Sequence, residues 1–194
     1  EVNPVIRPST TVFLNAFWNR SRLSTRLNTS SVTPPSSVRK LSTSSIRRGY
    51  GNPSYAGILD LYATSEGIVI INELPVESYL CKVVPSEMPA SYQKEALKAQ
   101  AVCARNYAME DYAYPEYQAH VNDSTDYQVY NNSAQQDAST EAVRETAGEV
   151  LKYKGNIVTT YYYSTSCGKT TTMKAWGTSE NESNGYLQSV EVKD

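Results

Sequence analysis

The sequence has a single histidine, two phenylalanines, two tryptophans and three cysteines among 194 residues. A Ser-His-Asp or Cys-His constellation would therefore have to use His120, whose sequence neighbours are polar and offer no nucleophile. A metal site at His120 with Asp123 and Asp126 is a weak pattern. The cysteines, at positions 81, 103 and 167, fit no zinc or redox spacing. Cys103 falls among apolar helix positions and reads as a small core residue. The cysteines leave the redox compartment open. No run is long and apolar enough to span a membrane, and no signal-peptide pattern is present. Charge of either sign is not in excess: 18 Lys and Arg stand against 20 Asp and Glu. Nucleic acid is therefore not an expected partner.

What is present is unevenly placed. Residues 1–50 carry eight Arg and Lys and only Glu1 as an acid, so the remainder is acidic. This Ser/Thr-rich arm reads as a solvated extension with irregular strands, or else as a linker or a wall-contacting face. The chain opens with Glu1 rather than Met. The expectation is a fragment or a processed form from which an anchor has been removed. Sixteen tyrosines dominate the aromatics. Tyrosine pairs an apolar face with a polar tip, which suits a half-wet sheet and equally a carbohydrate surface.

The local patterns predict an alternation of short elements. Val12-Phe13-Leu14 reads as a short strand, and Thr33 to Ser37 as a break. The pattern turns β-like from Leu41, with a turn at Tyr50 to Ser54 and a strand from Ile58 to Tyr62. Ile68-Val-Ile-Ile71 follows Gly67 as a buried strand. Leu74 to Leu80 predicts a short helix, and Ser91 to Asp111 the main one. At about 100° per residue, Ala96, Leu97, Ala99, Cys103, Ala104, Tyr107 and Ala108 share one arc, with Lys94, Lys98 and Arg105 opposite. Gln100 lies near the centre of that arc. An unsatisfied buried amide costs roughly 1–3 kcal/mol. Gln100 is thus expected to be bonded, either to the backbone near Glu87 or as ordinary core wiring.

Residues 114–137 form a long polar connection, and such connections are often functional. Ser139 to Ala147 predicts a short helix ending near Gly148. Lys154-Gly-Asn156 predicts a hairpin, Ser164 to Thr170 a polar loop and Trp176-Gly177 a turn. Gly168-Lys169-Thr170 echoes the end of a phosphate-binding loop, but Tyr163 stands where that motif needs its first glycine. There is no internal repeat.

The remaining candidate is Glu87, in Pro85-Ser86-Glu87-Met88-Pro89, directly ahead of the alanine-rich helix. Two prolines restrict the backbone on either side of it. The sequence reads as a rigid turn that fixes one carboxylate at the start of a helix, as acid/base catalysis requires. A helix N-terminus favours the carboxylate form, whereas a general acid must hold a proton. Apolar burial by Met88 and nearby tyrosines would have to compensate. The plain alternative is an exposed helix-end charge.

Three blocks carry a resemblance: Asn72-Glu-Leu-Pro-Val-Glu-Ser-Tyr-Leu80, Val83-Val-Pro-Ser-Glu-Met-Pro89 and Glu95-Ala-Leu-Lys-Ala-Gln-Ala-Val-Cys-Ala-Arg105. Gln128-Val-Tyr130, Ala142 to Gly148 and Tyr162-Tyr-Ser-Thr-Ser166 continue it in order. Together these closely resemble the SpoIID/LytB domain, from about residue 42 to the end. Residues 1–41 lie outside the match, as a basic segment that is part of the domain or leads into it. The resemblance implies a stage II sporulation protein D-like lytic transglycosylase. Such enzymes act on peptidoglycan glycan strands stripped of stem peptides, during engulfment of the forespore. It implies a SpoIIP-like amidase and a SpoIIM-like membrane protein as partners. It also implies an extracytoplasmic, membrane-associated location facing the wall between mother cell and forespore. The LytB branch implies the alternative, a non-catalytic glycan-binding enhancer of an amidase.

By the same resemblance the catalytic glutamate falls on Glu87. Ser164, Thr165 and Ser166 would bind sugar hydroxyls or the acetamide, Tyr163 would stack on a ring, and Arg105 would meet a lactyl carboxylate or brace the Glu87 turn. Each can equally serve a structural hydrogen bond. Glu73, Glu77 and Glu95 are second carboxylates in principle, with surface or structural roles preferred. Cys167 stands where the family's loop has glycine. Asn122, Asp126 and Tyr127 are not the cysteines of those members that carry zinc, so no metal and no cofactor are expected. The fold expected is α+β, a single domain of short, mostly antiparallel strands around a central alanine-rich helix with a glycan groove.

Overall fold

The β-branched runs of the first half pair into one sheet, and the alanine-rich segment packs between two further helices. The computed structural model describes residues 11–17, 38–41, 44–45, 54–64, 67–110, 113–123, 125–131 and 134–192. Most of the basic arm, the Thr33 to Ser37 break and the turn up to Pro53 lie outside them. The strands are β1 (Thr11–Phe17), β2 (Val38–Leu41), β3 (Ser44–Ser45), β4 (Ser54–Tyr55), β5 (Ile58–Thr64), β6 (Gly67–Leu74), β7 (Val121–Asn122), β8 (Lys152–Tyr153) and β9 (Asn156–Ile157). The helices are α1 (Val76–Glu87), α2 (Lys94–Ala108) and α3 (Asp137–Glu145). This is the α+β class the sequence predicts.

Five strands form the main sheet in the order β2-β5-β6-β1-β7. All neighbours are antiparallel except β1 and β7. In register, Leu61 faces Ile70 and Leu14 faces Ile71. Side chains of a strand alternate between faces. Ile70 and Leu74 of β6 enter the helix-facing core, while Ile71 packs on the other face with Ala119, Val69 and Tyr114. Burial on both faces is why β6 reads as an unbroken apolar run rather than an alternating one. Gly57 precedes β5 at φ +87°, and a Cβ there would lie 2.2 Å from the Glu73 carbonyl oxygen. Only glycine fits that approach.

The helix α1 is longer than the sequence pattern predicts. It includes Pro85 and ends at Glu87. The stop comes from Pro89, which forces the residue before it out of helical space. Met88 is extended accordingly (φ −135°, ψ 129°), and its N–H closes on the Val84 carbonyl at 2.9 Å.

Packed against both α1 and α3, α2 buries Leu97, Gln100, Ala101, Ala104, Arg105 and Ala108. This stripe is turned relative to the predicted arc: Ala99 is exposed and Arg105 is inside. Two helices flank α2, so its buried face is set by both contacts and not by apolar residues alone. Asn106 fastens the second half of the chain to α2. Its Nδ2 donates to Leu151 and Val158 carbonyls at 2.8 and 2.7 Å, and its Oδ1 accepts from the Leu151 N–H at 2.8 Å. The predicted hairpin forms as β8 and β9, with Lys154 and Gly155 at positive φ in the two-residue turn.

Candidate active site

Glu87 is half-buried at the C-terminal end of α1, not in a turn at the start of α2. That end of a helix carries partial negative charge, so the dipole gives a carboxylate no support. A donor arrives from elsewhere. The N–H of Val129 donates to Glu87 Oε1 at 2.6 Å. Beside it, the N–H of Asn131 donates to Ser86 Oγ at 3.3 Å, and Ser86 Oγ donates to the Lys82 carbonyl at 2.7 Å. The long connection is thus laid across the last two residues of α1, which gives it a definite role.

Gln128 organises the floor of this site. It is wholly buried, and its Nε2 donates to the Ala104 carbonyl and the Tyr162 hydroxyl, both at 3.2 Å. A carbonyl can only accept, so this contact fixes which end of the amide is nitrogen. Its Oε1 then accepts from the Tyr79 hydroxyl at 3.1 Å. Tyr162 accepts from Gln128, and the nearby Glu87 charge adds to burial in disfavouring ionisation of its phenol. Burial raises the ionisation of Tyr79 and Tyr162 well above the ordinary range, and that of Tyr107 to about 12. All three remain neutral phenols at neutral pH. Among the described residues no cation pairs with Glu87.

Segment 159–163 brings Tyr162 to this site. Thr160 Oγ1 donates to the Cys103 carbonyl at 2.7 Å, which pins the segment to α2. Thr160 and Tyr162 face inward, while Tyr161 and Tyr163 are exposed.

The other predicted residues fall differently. Arg105, expected opposite the core and either at the substrate, as a brace of the Glu87 turn or in a structural hydrogen bond, is only 1% exposed. Its Nε and Nη2 each reach a Glu77 carboxylate oxygen at 2.8 Å, and its Nη1 donates to the Glu149 carbonyl at 3.0 Å. It braces α1 against α2 and the end of α3 and does not face a sugar. Glu77 is thereby structural, and also accepts from the Gly148 N–H at 3.2 Å. Glu95 is exposed and pairs with Lys98 at 3.1 Å, and Glu73 belongs to β6. Gln100 is buried, and its Nε2 has no hydrogen-bond partner among the described residues. Tyr163 is half exposed, and Ser164, Thr165 and Ser166 lie in the exposed loop directly after Tyr162. Ser166 Oγ accepts from the Gly168 N–H at 3.3 Å. Sequence reasoning missed Tyr162, Gln128 and the Val129 N–H. The available signal was the block Gln128-Val-Tyr130, a glutamine between polar turns and a strand-like pair. Among the described residues, no group of three or more His, Cys, Asp or Glu is placed to hold a metal.

Residues 64–153, the stretch that contains α1, α2 and the Val129 contact, match the family described as Stage II sporulation protein. The chain belongs to the SpoIID/LytB family. It is 33% identical over 147 residues to Stage II sporulation protein D of Bacillus amyloliquefaciens, covering 67% of this chain and 41% of that protein. It is 42% identical over 88 residues to the amidase enhancer of Bacillus subtilis, covering 45% of this chain and 12% of that protein. An uncharacterised protein of Brachyspira hyodysenteriae is 39% identical over 117 residues, covering 59% of this chain and 32% of its own length. The chain therefore spans less than half of each of these relatives. The SpoIID/LytB assignment covers Glu87, Gln128 and Val129, whereas Tyr162 lies beyond residue 153.

Proposed function

We propose that this SpoIID/LytB chain is a peptidoglycan lytic transglycosylase. It cleaves the bond from N-acetylmuramic acid to N-acetylglucosamine in strands free of stem peptides and leaves 1,6-anhydro ends. The observation that carries this reading is the Glu87 carboxylate, held by the Val129 N–H at one oxygen and without a countercharge among the described residues. Because Oε1 must accept from Val129, a proton on Glu87 resides on Oε2. That proton passes to the glycosidic oxygen as its bond to C1 breaks, and N-acetylglucosamine leaves with a free 4-hydroxyl. The 6-hydroxyl oxygen of the muramic acid then closes on C1, and its proton returns to Oε2. One carboxylate serves as acid and then as base, and no water is consumed. Hydrolysis would instead use two flanking carboxylates. The Tyr162 hydroxyl steadies the anionic state of Glu87 between the two transfers.

The matching relatives support a role in sporulation, and the location we propose with it is the membrane facing the wall between mother cell and forespore. A SpoIIP-like amidase and a SpoIIM-like membrane protein are the proposed partners. The similarity to an amidase enhancer favours a second reading, glycan binding that activates an amidase without cleavage. Incubation with denuded strands, followed by mass spectrometry, separates the two. Anhydro-ended products that vanish with Glu87→Gln support the transglycosylase. Bound but intact strands support the enhancer. Reducing-end products would mean hydrolysis and a second carboxylate.

A further inference from the structure

Beyond Glu87, the described surface carries one exposed aromatic pair with an adjoining polar cleft. Tyr161 and Trp176 pack with ring centroids 4.9 Å apart, and both remain well exposed, at 39% and 55%. The pair continues inward through Tyr107, whose ring meets Tyr161 edge-on at 6.4 Å. Tyr107 belongs to α2, whose Ala104 carbonyl binds Gln128 at the floor of the Glu87 site. On the far side, Tyr161 lines a cleft of about 340 Å3 with Tyr153, Asn156, Thr159, Asn184 and Tyr186. Trp176 is the C-terminal residue of a short 3-10 turn, Met173–Trp176, that closes at Gly177. The outer aromatics are buttressed: the Tyr186 hydroxyl donates to the Thr159 carbonyl at 2.7 Å, and its ring packs on Tyr153 at 5.7 Å.

The chemistry of this surface selects its ligand. Large exposed aromatic faces rimmed by amides and hydroxyls suit a ring with one C–H face and equatorial polar groups. The charges near the cleft, Lys154 and Glu182, lie 3.8 Å apart and offset each other. An uncharged ligand fits better than an anion. Position matters as well: Tyr161 is the chain neighbour of Tyr162, whose hydroxyl is bound by Gln128, next in sequence to the Val129 that holds Glu87. A chain held on the outer pair would run toward the carboxylate.

We propose that Tyr161 and Trp176 form a second glycan-binding platform, which holds N-acetylhexosamine units of a strand next to Glu87. The direction of the strand rests on the transglycosylase reading, but sugar binding at the pair does not.

The test uses Trp176 as its own reporter. The chain has only one other tryptophan, Trp18, so Trp18→Phe leaves a single emitter. That protein is titrated with soluble N-acetylglucosamine oligomers, with and without Glu87→Gln. The expected result is a saturable change in Trp176 emission that survives Glu87→Gln and weakens about tenfold with Tyr161→Ala, the scale of one lost aromatic contact. Calorimetric titration of Trp176→Ala should show a similar loss. Circular dichroism checks that both variants fold, as surface positions should allow. Unchanged emission at saturating oligomer, or equal affinity with and without Tyr161, would overturn the platform. The two proposals fail separately. Cleavage of denuded strands with a silent Trp176 removes only the platform, and a responsive Trp176 without cleavage removes only the transglycosylase.

Discussion

Helix α1 carries a glutamate in its first turn and another at its last residue, and the two ends of the helix treat them in opposite ways. Glu77 meets a buried guanidinium with both oxygens and takes a backbone N–H as well. Glu87 meets one backbone N–H, with no cation partner among the described residues. The first carboxylate is held by its countercharge and ties three helices together. The second has a fixed position and an oxygen left for exchange of a proton. Placement alone therefore does not make a glutamate catalytic. Among the described residues, the lack of a cation partner distinguishes the Glu87 end of α1 from the Glu77 end.

The largest effect expected is on activity at the C-terminal end. Glu87→Gln keeps an acceptor for the Val129 N–H but cannot exchange a proton. Formation of anhydro ends should fall about a thousandfold or more, with the thermal midpoint within a degree or two of the parent. A fall in stability as large as the fall in activity would show that Glu87 is wired like Glu77, and would erase the distinction between the ends.

The next effect belongs to the other end. Glu77→Gln leaves Arg105 charged and buried without its partner. Stripping one member from a buried pair costs about 3–5 kcal/mol, and the 35% exposure of Glu77 places this one toward the low end. Chemical denaturation measures it. If Glu77→Gln is as stable as the parent, Arg105 does not depend on the pair, and the structural half of the contrast falls.

Much of this architecture could be read from local pattern, and the errors have physical causes. The β6 run, the α2 segment and the Lys154-Gly155 turn depend on neighbours in sequence, and all appear as expected. The position of Glu87 on its helix was misread because Pro89 acts backward, ending α1 at the residue before Met88 rather than starting α2. Burial of Arg105 depends on Glu77, 28 residues away, and an arginine on a helix ordinarily signals solvent. Tyr162 is not legible in the pattern because the inward phase of segment 159–163 is set by the Thr160 bond to α2. Such long-range partners leave no periodic trace.

Tyr162→Phe should have an intermediate effect. It removes the hydroxyl that Gln128 binds beside Glu87 but leaves Gln128 its bond to the Ala104 carbonyl. About a tenfold loss of activity is expected, with a stability loss near 1 kcal/mol. The same mutation in a Glu87→Gln background should cost no further activity. An additional loss there would place Tyr162 on the substrate and not on the carboxylate.

Alkali should separate the ends without mutation. Of the tyrosines raised by burial, Tyr79, Tyr107 and Tyr162 gather at the Glu87 end, with Tyr127, Tyr130, Tyr161 and Tyr186 raised as well. A phenol whose folded ionisation lies above its unfolded one contributes stability that is complete below about pH 10. For Tyr107 that stability is lost as the pH rises toward about 12. Between those values the unfolded chain has released a proton that the folded one keeps, so unfolding becomes easier. Ultraviolet titration of tyrosinate should show one group of tyrosines ionising freely and another only as the fold is lost. A single smooth titration with the fold intact would mean that the floor of the site is open to water.

The smallest effect is expected where a contact looks most like the Arg105 pair and differs only in burial. Lys94 on α2 reaches Glu141 and Glu145 on α3 at 3.0 and 2.5 Å. Like Arg105, it bridges α2 to a neighbouring helix through carboxylates. Its side chain, however, is 47% exposed, against 1% for Arg105. Water solvates both charges when the contact opens, and ordering long side chains offsets most of the Coulomb gain. Lys94→Ala should therefore leave the unfolding midpoint unchanged within error, and salt should not alter that result. If the midpoint fell as far as with Glu77→Gln, burial would not be what gives the Arg105 pair its weight. The geometry of the bridge alone would then set the stability of α2 against its neighbours.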